Sequence, residues 1–146
     1  MTASALTEPE YLKKFCPKCG EPTQLRCEFC NFPIQGINLY HEILYVNDYT
    51  IPHYCHNCGK PYPWTEMQIR AAKNIIDLLD ELKSSEKEEF KKSVDEIVNQ
   101  TPNAKTAAYK IKLILTKVRG ETQKMIRDIL VDITSEVAVK IIMPDR

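Results

Sequence analysis

YCHNCGKPYPW, residues 54–64, sets two cysteines three positions apart, follows the second with glycine and then runs through two prolines into Trp64. The chain differs in kind on either side of it. All six cysteines and all three histidines lie before Trp64, whereas the residues beyond it carry helical periodicity and a single glycine, Gly120. The stretch therefore reads as the border between a metal module and a helical module. Two thiolates leave a tetrahedral ion half-coordinated, so Cys55 and Cys58 need two more ligands from elsewhere in the chain.

With 146 residues, 43% hydrophobic and 27% charged, the chain suits one domain or two small ones. Its first residues, MTASALTEPEYLKK, have neither the basic start nor the apolar core of a secretory signal. No apolar run reaches the roughly 18 residues of a membrane span. A cytoplasmic protein without a membrane span is the expectation. In a reducing compartment, cysteines grouped only as Cys16/Cys19, Cys27/Cys30 and Cys55/Cys58 favour metal over disulfide. The formal net charge is zero, but zinc held by four thiolates adds two negative charges, which Lys13, Lys14, Lys18, Arg26 and Lys60 lie close enough in sequence to offset.

Local stereochemistry supports zinc. A metal knuckle turns tightly after its second cysteine, and the next residue needs a positive φ that glycine adopts freely and asparagine tolerates. Gly20, Asn31 and Gly59 occupy those positions. One or two Zn2+ ions per chain are expected, with two ligand schemes open. In one, Cys16, Cys19, Cys27 and Cys30 share an ion across GEPTQLR, and Cys55 with Cys58 recruits imidazoles from His53, His41 or His56. In the other, Cys16 and Cys19 join Cys55 and Cys58, leaving Cys27 and Cys30 over. A thiol redox centre at CPKC lacks the strand-helix context of a thioredoxin. Neither a His-x-Glu with Pro-Cys-x-x-Cys nor a His-Glu-x-x-His pattern is present, so no catalytic residue is assigned.

EILYVNDYTIPHY, residues 42–54, reads as two short β-rich runs about Asn47-Asp48. The predicted fold is α+β: an N-terminal arm (1–14), a small zinc-ribbon-like β domain (15–64), a helical bundle of three or four helices (65–142) and a tail (143–146). Zinc would supply much of the folding free energy of so small a metal module. The aromatic cluster Tyr54, Tyr62 and Trp64 reads as packing that seals it to the first helix. That helix runs from a Thr65/Gln68 capping box to about Leu82, and the next starts at Ser85/Glu88 with Phe90, Val94, Ile97 and Val98 on its buried face. Thr101-Pro102 opens a third and Gly120 ends it; a fourth carries Ile126, Leu130, Ile133 and Val137 in one stripe. No internal repeat is visible beyond the cysteine pairs.

CPKCGEPTQLRCEFCNFPIQG together with PHYCHNCGKPYPWTE resembles a family of small uncharacterised bacterial proteins, with three such pairs and a Pro-Tyr-Pro-Trp exit into a helix. The resemblance covers roughly residues 15–66. It implies a zinc-ribbon-like N-terminal domain and brings no catalytic residues.

Charge is uneven in the helical part. Residues 101–127 carry seven basic side chains and one acidic, whereas residues 66–100 carry six basic and nine acidic. On the third helix Lys105, Lys112 and Arg119 border the apolar arc on one side and Lys110 with Lys117 on the other, while Tyr109 and Leu113 stay on the polar face. Lys105, Tyr109, Lys112, Leu113 and Arg119 are therefore the candidate contact residues. The expected role is that of a non-enzymatic zinc-binding adaptor or regulatory protein that binds a protein partner or itself, with no small-molecule substrate evident. The alternative is a nucleic-acid-binding module using Lys105–Arg127, disfavoured by the near-neutral charge; a zinc- or thiol-dependent enzyme comes third.

Overall fold

The computed structural model describes residues 13–17, 20–34 and 51–144, and the chain divides into two compact units at the Tyr62–Pro63 bond. In the first unit the first cysteine of each pair, Cys16, Cys27 and Cys55, opens the same turn. The first cysteine's N–H donates to the carbonyl five residues on, Cys16 to Glu21 (2.7 Å), Cys27 to Phe32 (2.9 Å) and Cys55 to Lys60 (2.8 Å). Its own carbonyl accepts from the N–H four residues on, that of Gly20 (2.8 Å), Asn31 (2.9 Å) or Gly59 (2.7 Å). This tight reversal forces the fourth residue into the left-handed region, with φ of +76°, +58° and +70° at Gly20, Asn31 and Gly59.

Each turn is closed into a hairpin by one antiparallel bridge, Phe15 with Pro22, Arg26 with Pro33 and Tyr54 with Pro61. A second hydrogen bond follows each bridge: Thr23 N–H to Lys14 (2.9 Å), Ile34 N–H to Leu25 (2.8 Å) and Tyr62 N–H to His53 (3.0 Å). The repeat is thus longer than the cysteine pairs alone suggest. It spans residues 14–23, 25–34 and 53–62, and its second invariant feature is the proline six positions after the first cysteine.

The α+β expectation is corrected here. Among the described residues there is no strand, only these isolated bridges, and the zinc-ribbon-like β domain is not formed. The prolines explain why. The residues of each bridge turn their own backbone N–H outwards, and proline has none to offer, so the proline edge of each hairpin is a poor template for a further strand. The β-rich run at 42–50 lies outside the described residues.

The described residues of the second unit form five helices where the spacing predicts three or four: α1 (Pro63–Asp77), α2 (Ser84–Val98), α3 (Ala104–Leu115), α4 (Gly120–Ile133) and α5 (Glu136–Ile142). Their apolar stripes meet in one core of Ile76, Phe90, Val94, Ile97, Ala107, Ala108, Ile111, Leu115, Ile126, Leu130, Ile133 and Ile142. Each fully buried large side chain contributes about 1.5–3 kcal/mol through its removal from water. Helix α3 packs between α2 and α5, and α1 lies along α4.

The helix ends differ from their sequence signals. Pro63 takes the first helical position, where its missing N–H costs nothing, so Thr65 lies inside α1 and is buried. Helix α1 stops at Asp77, short of Leu82. Helix α2 begins at Ser84, with the Glu86 carboxylate accepting from the Lys83 N–H at 2.9 Å. Helix α3 ends at Leu115, where the Thr116 hydroxyl donates back to the Leu113 carbonyl at 2.6 Å, and Gly120 opens α4 rather than closing α3. Val137 belongs not to the α4 stripe but to α5, where it is exposed; Ser135 caps α5 and Ala138 with Ile142 turn inward.

Candidate metal centre

The sulfurs of Cys27, Cys30, Cys55 and Cys58 all lie within 4.8 Å of one another. Across the two turns, Cys27 Sγ is 3.7 Å from Cys58 Sγ, and Cys30 Sγ is 3.6 Å from Cys55 Sγ. A disulfide would need about 2.05 Å. A tetrahedral ion with metal–sulfur bonds of about 2.3 Å sets its ligands about 3.8 Å apart. The four thiols fit such an ion.

This pairing of the second and third cysteine pairs is in neither ligand scheme read from the sequence. The hairpins show the reason. The first occupies residues 14–23 and the second 25–34, so only Gln24 separates them, too little chain to turn one pair of sulfurs back onto the other. Residues 35–52 between the second and third hairpins leave ample length. Cys16 is half-buried in its own turn and is not one of the four; Cys19 and His41 lie outside the described residues. His53 and His56 are not in the thiol cluster either. His56 is exposed and meets the ring of Phe32 edge-on, with centroids 4.8 Å apart.

Backbone and side-chain donors converge on the sulfurs. The N–H of Phe32 and the side-chain amide of Asn57 donate to Cys30 and hold its thiol below the usual range. Burial acts to raise Cys55, but the backbone N–H groups of Cys58 and Asn57 overcome it and bring that thiol down to about 6. Cys58 accepts from the Lys60 N–H, yet burial and its three sulfur neighbours prevail and push it up to about 12. One thiol ionises readily and another resists because negative charges crowd one small volume. A divalent cation removes that conflict and deprotonates the set.

The family model described as an uncharacterized protein conserved in bacteria (DUF2321) matches residues 1–142. The chain belongs to that family. No curated protein and no solved structure matches it.

The contact residues proposed on the third helix separate into different settings. Lys105 and Arg119 are exposed, Tyr109 and Leu113 are 56% and 55% exposed, and the Lys112 ammonium stands 5.9 Å from the Tyr109 ring centroid. Arg119 lies beyond the end of α3, so it shares no helical register with Lys105 and Lys112. Lys110 pairs with Glu89 of α2 at 2.5 Å, and Lys117 pairs with Glu86. The basic surplus of one helix thus meets the acidic surplus of its neighbour. One contributor to the centre escaped the sequence reading: Asn57, whose side-chain amide donates to Cys30. The equivalent position is Lys18 in the first copy of the repeat and Phe29 in the second, so the repeat gives no signal for it.

Proposed function

We propose that this protein is a non-enzymatic zinc-binding adaptor or regulatory protein that acts through protein–protein contacts. The four-thiol cluster carries the reading. Four thiolates complete the tetrahedral coordination of zinc and leave no position for water or substrate, the arrangement of structural rather than catalytic sites. Zinc would then fix two hairpins whose tips display Phe29, 59% exposed, and the Phe32–His56 ring pair. Exposed aromatics of this kind are enriched where proteins meet. Tyr109 and Leu113 offer a second such surface on α3. The pairing of Lys110 and Lys117 with α2 leaves fewer cations for phosphate and favours protein contact over nucleic acid.

Native mass spectrometry of the purified protein tests the metal, with zinc bound as isolated and lost to a chelator as the expected result. Intense visible absorption as isolated would replace zinc with iron, the other metal that four thiolates select. A titration with single-stranded and duplex oligonucleotides tests the rival reading. Tight binding that weakens steeply with salt would overturn the proposal.

A further inference from the structure

We infer that Cys58 is the oxidant-sensitive thiol of the metal centre, attacked by a peroxide and resolved by Cys27 into a disulfide that joins the second and third hairpins. The inference rests on reading the four-thiol cluster as a metal site. With an ion bound all four sulfurs are thiolates, so access decides which of them meets an oxidant first. The four residues differ in access. Cys27 and Cys55 are 2% and 1% exposed and Cys30 is half-buried, whereas Cys58 is exposed. The resolving partner is already in place, because Cys27 Sγ lies 3.7 Å from Cys58 Sγ on the neighbouring hairpin. An accessible sulfur beside a second thiol that resolves it is the arrangement redox-sensing cysteines share.

The chemistry needs only hydrogen peroxide and protons from water. The Cys58 thiolate attacks one peroxide oxygen, the O–O bond breaks, and the departing hydroxide takes a proton to become water, leaving Cys58 as a sulfenic acid. The Cys27 thiolate then attacks that sulfur, forming the S–S bond and expelling a second hydroxide, which is likewise protonated to water. Two thiolates are oxidised to one disulfide, and one peroxide is reduced to two waters. The disulfide removes two of the four ligands, and a tetrahedral site left with Cys30 and Cys55 is half-coordinated. Those two sulfurs are themselves 3.6 Å apart and form a second disulfide with a further peroxide. Both bonds run between hairpins, so oxidation releases the ion while the two hairpins stay tied. The contact surface proposed at their tips thereby becomes responsive to peroxide.

The test uses the full-length zinc-loaded protein and hydrogen peroxide, with zinc release followed by a chelating dye and disulfides mapped by mass spectrometry after the remaining thiols are alkylated. Among the four cysteines, Cys27–Cys58 should be the first disulfide, and its appearance should keep pace with the loss of zinc. Limited treatment of the loaded protein with N-ethylmaleimide should label Cys58 ahead of Cys27, Cys30 and Cys55. A protein that holds no zinc as isolated and takes none up removes the metal reading, and this inference with it. In zinc-loaded protein, a first disulfide within a pair, Cys27–Cys30 or Cys55–Cys58, overturns the role of Cys58 alone. So does zinc that stays bound while peroxide is consumed, or earlier labelling of any of the other three.

Discussion

At the left-handed turn positions of the knuckles, Asn31 and Gly59 are under the same backbone demand, yet they should respond differently to substitution. A Cβ at Gly59 meets nothing within 4 Å, so Gly59→Ala isolates the strain of φ +70° from any clash. It should cost about 1–2 kcal/mol, measured as a lower midpoint in a chelator titration of the metal module. Asn31→Gly should be neutral or slightly favourable, because the φ of +58° suits glycine at least as well. The thiols add a pH dependence. Metal needs thiolates, so protons compete with it and affinity should fall as pH drops. In the metal-free protein Cys55 is held near 6 and is ionised at neutral pH, whereas Cys58 at about 12 still carries its proton. Metal uptake at pH 7.5 should therefore release at least one proton, read by calorimetry in buffers of different ionisation enthalpy; uptake without release would contradict the charge conflict among the sulfurs. At this scale the sequence is informative about which residues form knuckles, because the Cys-x-x-Cys spacing and the glycine or asparagine after it are local constraints. It is silent about Asn57, whose amide reaches Cys30 only because two separate hairpins are brought together.

Among the elements, the helices were read correctly in their middles and poorly at their ends. Phe90, Val94 and Ile97 form the buried face of α2 as their spacing requires, because burial follows the helical period. Helix ends depend on competing caps: Thr65 lost to Pro63, and Gly120 began a helix rather than ending one. Val137 fits the period of α4 but lies past the break at Thr134, where the chain starts α5 on a new axis. Phe90→Ala should lower the stability of the helical unit by about 3–5 kcal/mol in denaturant unfolding, since Phe90 is wholly buried. The pairs between α2 and α3 respond to acid instead. Glu86 is lowered chiefly by Lys117, and Glu89 by Lys110. A carboxylate lowered in the folded state stabilises above its unfolded value of 4.5 and loses that contribution as pH falls through its folded value. Replacing Lys110 and Lys117 with glutamine should therefore lower the melting temperature modestly at neutral pH and low salt. The difference should vanish in acid, and a difference that persisted at pH 2 would mean that the lysines act through packing.

For the molecule as a whole, the border at the Pro-Tyr-Pro-Trp exit could be seen in composition, because cysteine-rich turns and helical periodicity do not mix. No described helix is long and apolar enough to cross a membrane. The partnership of the cysteine pairs could not be seen, because it is decided by the length of chain between whole hairpins, and the hairpins extend beyond the pairs to Pro22, Pro33 and Pro61. The ribbon-like β domain, expected from the β-rich run at 42–54 and from the family resemblance, is not formed among the described residues, where the hairpins close through single bridges to Pro22, Pro33 and Pro61. The metal content of three purified variants tests the central assignment, with zinc per chain counted by native mass spectrometry. Cys27→Ser and Cys55→Ser should each lose the ion, while Cys16→Ser combined with Cys19→Ser should keep it. Loss of the ion in the Cys16/Cys19 variant, with its retention in Cys27→Ser or Cys55→Ser, would contradict a centre built from the second and third pairs.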